Sequence, residues 1–240
     1  MSAGQLDETS NDDGITLVEL LVAILLLAVA SAMVTNLYFS TTKAVATSSS
    51  LTQNTRTAAN AMDEISRVIR VANSNLSTGN TVNPAVVEAK PESITIISYV
   101  DSKSLVEPEP SKVEFSVDPT TRQIVERRWT ASKDKDKYWV FLGSASSTRI
   151  LPGRVIAPSG ADAVSLFTYL EPHPVKENAE LGEKVPLSNA AGGLTSEQRK
   201  KVRSIRVTLV IRGAEDGKSA PVTLQNDVGM PNLNAVKVTP

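Results

Sequence analysis

ITLVELLVAILLLAVASAMV, residues 15–34 of a 240-residue chain, carries only Thr16, Glu19 and Ser31 as polar interruptions. Twenty residues of α-helix rise about 30 Å, the thickness of a bilayer's hydrocarbon core. The stretch therefore predicts one membrane-spanning helix, over residues of about 15–37. The remainder of the chain has the mixed composition of a water-soluble domain. Its length allows one globular unit beside the apolar helix.

Residues immediately before the run decide how it is used. The leader MSAGQLDETSNDDG holds four acids, Asp7, Glu8, Asp12 and Asp13, and no Lys or Arg. A secretory signal would show a basic n-region, a shorter apolar core and a small-residue cleavage site beyond it. The small residues at Ala30–Ala32 keep that reading open, although the leader charge and the length of the run oppose it. A plain membrane anchor accounts for the length and places Glu19 at headgroup depth. An acid nearer the centre of a spanning helix costs roughly 2.5–3.5 kcal/mol, which favours a partner that compensates it.

Gly14 followed by Ile15-Thr-Leu-Val-Glu19-Leu-Leu-Val-Ala resembles the class III signal of type IV prepilins and pseudopilins. The resemblance implies cleavage between Gly14 and Ile15 by a prepilin peptidase on the cytoplasmic side, followed by N-methylation of Ile15. It implies that Glu19, at the fifth mature position, forms an assembly salt bridge with the terminal ammonium of a neighbouring subunit. The spacing is compatible with this, because the new amine at Ile15 would lie one helical turn from the Glu19 carboxylate. Other pilin or pseudopilin subunits and a membrane-embedded assembly platform are the implied partners. The implied location is the cytoplasmic membrane with an extracytoplasmic C-terminal head, and then an extracellular pilus or pseudopilus. Family leaders usually carry Lys or Arg before the Gly, and Phe is commonest where Ile15 stands. Orientation thus rests on the motif rather than on flanking charge.

Neither Gly nor Pro occurs between Gly14 and Gly79, and the first proline is Pro84. The absence of both breakers predicts a long helix over residues 15–73. Its weakest part is 40–55, rich in Ser and Thr, where a bend or fraying is expected. Beyond it Ala58, Met62, Ile65 and Ile69 recur at helical spacing, with Arg56, Asp63, Glu64, Arg67 and Arg70 on other faces. That stripe reads as a core face.

From residue 74 onward prolines appear and β-branched residues alternate with polar ones. Residues 93–100, 112–117, 122–130, 138–142 and 163–170 are strand candidates. The clearest is 204–212, where Ile205, Val207, Leu209 and Ile211 share one face opposite Arg206, Thr208 and Arg212. Asp118-Pro119, the charged 133–137 and the 171–193 stretch supply turns. The fold class is α+β: a leader at 1–14, a long N-terminal helix at 15–73 and a β-rich antiparallel head at 74–240. Asn60-Ala-Met-Asp-Glu-Ile-Ser-Arg-Val-Ile-Arg70 is similar to the post-membrane segment of PilW-like minor pilins and J-type pseudopilins. Their C-terminal half also resembles residues 164–170 followed by Leu194-Thr-Ser-Glu-Gln-Arg and the strand at 202–211.

Chemistry is sparse. There is no Cys, which removes disulfides, thiolate nucleophiles and Cys-ligated zinc. His173 is the only histidine and sits in Pro-His-Pro, so it reads as a loop residue without metal-site companions. Asp134 and Asp136 have the spacing of early calcium ligands, but the Gly and the bidentate Glu of such a loop are missing. The 133–137 segment instead predicts a hairpin turn, with Trp129 and Trp139 pairing across it. A net charge of −1 gives no support for nucleic-acid binding. Arg127-Arg128 and Arg199-Lys-Lys201 read as solvated basic spots. With no nucleophile elbow, phosphate loop or zinc-protease helix, no enzymatic activity and no cofactor are expected. Two functions remain in competition: a minor pilin or pseudopilin, and a membrane-anchored extracytoplasmic binding domain that never polymerises.

Overall fold

A computed structural model describes residues 15–77, 81–100, 108–134, 138–157, 164–172, 184–187, 192–212 and 221–234. Gly14 and the leader, His173, Asp136 and the 135–137 tip of the charged turn lie outside these residues.

Helix α1 runs from Leu17 to Arg70, 54 residues without a break. The Ser- and Thr-rich stretch is helical throughout. Thr47 and Thr55 donate their hydroxyls to the carbonyls of Lys43 and Leu51, both at 2.9 Å. This i−4 bond satisfies the polar group inside the helix instead of letting it compete with the backbone ladder. The chain divides into two compact units, Met1–Ser48 and Ser49–Pro240. In the first, every described side chain is exposed; Leu25, Leu26 and Leu27 are 65%, 62% and 67% accessible.

In the second unit α1 buries Ala58, Ala61, Met62, Ile65, Val68 and Ile69. The face read as core in the sequence is therefore core. It packs with Ile94, Val113, Phe115, Ile124, Phe167, Tyr169 and the alternate residues Ile205, Val207, Leu209 and Ile211. The strands are β1 (Asn75–Ser77), β2 (Thr81–Asn83), β3 (Val86–Ala89), β4 (Ser93–Ser98), β5 (Ser111–Val117), β6 (Gln123–Asp134), β7 (Tyr138–Phe141), β8 (Ser147–Val155), β9 (Phe167–Pro172), β10 (Lys184–Pro186), β11 (Ser204–Arg212) and β12 (Val222–Gly229). Ten of them form one sheet in the order β10-β9-β11-β8-β6-β5-β4-β3, with β12 added to β11 and β7 to β6. Every named pairing is antiparallel. A long N-terminal apolar helix followed by an antiparallel sheet is the α+β class expected.

Strand β8 was not expected, because Pro152 and Gly153 interrupt it. The sheet absorbs both in a bulge: Gln123 pairs with Arg154 while the next residue, Ile124, pairs with Leu151. Gly153 has φ of 97°, and a Cβ there would lie 2.9 Å from the Thr57 methyl on α1. Only glycine lets this strand and helix approach so closely.

Two sequence readings are corrected. Trp129 and Trp139 do not face each other: the β6–β7 register sets Lys133 against Trp139, and β5 sets Lys112 against Trp129. The Lys112 ammonium lies 4.2 Å from the Trp129 ring centre and that of Lys133 5.3 Å from Trp139, so the aromatics stack on cations. Arg127 and Arg128 are not a solvated pair. Arg127 bonds Glu114 at 2.7 Å across the β5–β6 ladder. Arg128 bonds Glu126 and reaches Glu64 of α1 at 2.7 Å.

That last contact belongs to a network. Glu126 is 1% exposed and bonds both Arg128 and Arg149. Glu64 accepts from Arg67 at 2.8 Å, Arg128 at 2.7 Å and Arg149 at 2.6 Å. Two carboxylates and three guanidiniums so tie α1 to β6 and β8. A buried acid of this kind persists because its charge is matched on more than one side.

Candidate functional site

The start of α1 carries the sequence motif, and its geometry is a reciprocal cap. Thr16 precedes the first helical residue, Leu17, and its carbonyl accepts the first helical bond from the Leu20 N–H at 3.1 Å. The Glu19 N–H donates to the Thr16 hydroxyl oxygen at 3.3 Å. In return, the Thr16 N–H and the Thr16 hydroxyl both donate to one Glu19 carboxylate oxygen, each at 3.0 Å. This is the capping box, which satisfies two amides that a helix start otherwise leaves without partners. The carboxylate also lies at the positive end of the helix dipole.

Ile15 and Thr16 are not helical. In the uncleaved chain the Glu19 carboxylate bonds Thr16, the residue next to Ile15. Both Ile15 and Leu17 are highly exposed, at 78% and 74%. Thr16 is the residue that sequence reasoning passed over. The signal was present, since Thr-x-x-Glu ahead of an apolar run is the sequence form of the box.

Among the described residues no cluster of three His, Cys, Asp or Glu side chains could hold a metal ion. An open cavity of about 200 Å³ is lined by Val71, Asn73, Tyr99, Pro108 and Asn232, none of which is a charged group. Arg199 and Lys200 belong to helix α2 (Ser196–Lys201), where Lys200 pairs with Glu197 at 2.8 Å and Arg199 donates to the Leu194 carbonyl at 3.0 Å. Thr195 and Gln198 close a second capping box at its start.

Among the described residues, α1 is the one helix long and apolar enough to cross a membrane. No curated protein matches the chain. The family described as the prokaryotic N-terminal methylation motif matches residues 9–35. In the segment that holds Gly14, Ile15, Thr16 and Glu19, the chain is thus similar to type IV pilin-like proteins.

Proposed function

We propose that this chain is a minor type IV pilin or pseudopilin, made as a precursor and assembled through its N-terminal helix. The observation that carries the reading is the methylation-motif match at residues 9–35, set on the apolar first half of α1, whose side chains up to Ser48 are all exposed. Residues 1–14 are a cytoplasmic leader, 15–73 an anchoring and packing segment built on α1, and 74–240 an extracytoplasmic head. A prepilin peptidase hydrolyses the Gly14–Ile15 bond, and the new amine of Ile15 is methylated. The subunit then leaves the membrane through an assembly platform to join a pilus or pseudopilus, with a role at its tip or in its initiation. Within the filament Glu19 neutralises the terminal ammonium of a neighbour, which requires its carboxylate to share or leave the bonds it makes with Thr16. The likeness of residues 60–70, 164–170, 194–199 and 202–211 to PilW-like pilins and J-type pseudopilins supports the minor role.

Mass spectrometry of the mature N-terminus tests this. A methylated Ile15 is expected. An intact leader, or a cut after Ala32, would overturn the reading in favour of an anchored domain that does not polymerise. Gly14→Ala is expected to block processing. Glu19→Ala is expected to be cleaved, more slowly for loss of its bond to the Thr16 amide, and poorly recovered in sheared filaments; normal recovery of the cleaved form would remove the neutralising role.

A further inference from the structure

We infer that Thr16 is a positioning residue for hydrolysis of the Gly14–Ile15 bond: its capping box holds the helix boundary at Leu17 and keeps the two residues that follow the bond out of the helix. This rests on the prepilin reading given above and adds a residue to it that the motif's glycine and glutamate do not cover.

Two conditions at the N-terminus are in tension. The apolar run from Leu17 must be helical, because a membrane leaves no other partner for its backbone amides. A peptidase needs extended backbone on both sides of the bond that it cuts, and exposed non-helical segments are where chains are nicked. The boundary between these states lies two residues beyond the bond. Ile and Thr at positions 15 and 16 do not enforce it by propensity, since both are tolerated inside helices.

Hydrogen bonding does enforce it. A capping residue keeps non-helical backbone while its side chain takes the place of the missing turn. Here the Thr16 oxygen receives the Glu19 amide at 3.3 Å, and the Thr16 amide is itself consumed by the Glu19 carboxylate at 3.0 Å. With its N–H spent on a side chain, Thr16 has no amide left for a helical bond to a residue further upstream. Ile15 therefore stays outside the helix. Water can then add across the amide, leaving a carboxylate on Gly14 and an ammonium on Ile15.

The test separates the cap from simple recognition of the threonine shape. Full-length precursor in lipid nanodiscs is digested with a purified prepilin peptidase, and initial cleavage rates are compared. Thr16→Val keeps the shape and loses the acceptor; it is expected to be cut about fivefold more slowly, the factor that loss of an N-cap brings. Thr16→Asn changes the shape but caps well, and is expected to stay within about twofold of the unsubstituted chain. Glu19→Gln completes the box without charge and is expected to be cut normally. Equal rates for Thr16→Val and the unsubstituted chain overturn the inference, as does a Thr16→Asn rate as low as that of Thr16→Val. If the unsubstituted precursor is not cut between Gly14 and Ile15, the prepilin reading itself fails and the inference goes with it.

Discussion

Glu64 shows how one side chain joins distant parts of the head. Burial pushes its carboxyl up, but the hydrogen bond from Arg67 and the charges of Arg149, Arg67 and Arg128 outweigh burial and hold it below the ordinary value of 4.5. A carboxyl whose folded value is depressed stabilises the fold fully above its unfolded value and loses that contribution as pH falls through the folded one. The head should thus lose stability as the medium is acidified below pH 4.5, and Glu64→Gln should flatten that part of the dependence. Thermal melts taken from neutral pH into acid check it. Glu126, with 0% of its side chain exposed, should be less forgiving. Glu126→Leu leaves Arg128 without its nearest acid and is expected to cost about 3 kcal/mol in denaturant unfolding, toward the lower end for a broken buried pair because Arg149 is half in water. None of this was legible in Arg127-Arg128, whose partners lie at positions no local pattern indicates. The motif at Gly14, Ile15 and Glu19 was legible because it is contiguous and its chemistry depends on fixed offsets.

Elements were readable where the period was clean. Strand β11 begins and ends where alternation placed it, and the α1 stripe at Ala58, Met62, Ile65 and Ile69 is buried as its spacing required. Ile65 is 0% exposed, and Ile65→Ala is expected to destabilise the head by about 2–5 kcal/mol, read by urea titration. Strand β8 was hidden by its own Pro-Gly pair, which ordinarily ends a strand and here forms a bulge in its pairing with β6. Strand β12 was missed because Gln225, Asn226 and Asp227 are poor strand formers; its eight residues are set by their register on β11, and Asp227 is held there by Arg206 at 2.7 Å and 2.9 Å. The β8 bulge gives a sharper test. Gly153→Ala introduces both a left-handed backbone penalty and a clash with Thr57, for a cost of about 2–4 kcal/mol. Adding Thr57→Ser should return only the share of the cost that the Thr57 methyl causes, because the Ile211 side chain at 3.0 Å and the φ of 97° remain. Full recovery in the double variant would show that backbone strain contributes nothing there.

At the level of the whole chain, the division at Ser48 and Ser49 separates a unit with no described buried side chain from one with a continuous core. Residues 49–240 expressed alone should be soluble and should melt at the same temperature as the head of the full chain in detergent; a lower melting point would mean that the first unit contributes to the core. The ion network has one more consequence, in time rather than in space. Glu64 and Arg128 are 64 residues apart in the chain. At a translation rate of about 5–20 residues per second, the helix's charged face waits roughly 3–13 s for its first partner on the sheet to emerge. In the first part of that interval, before β4 and β5 are made, Ile65 and Ile69 have no sheet to cover them. The nascent chain is then most exposed to chaperones and proteases, and its anchoring segment has already been made.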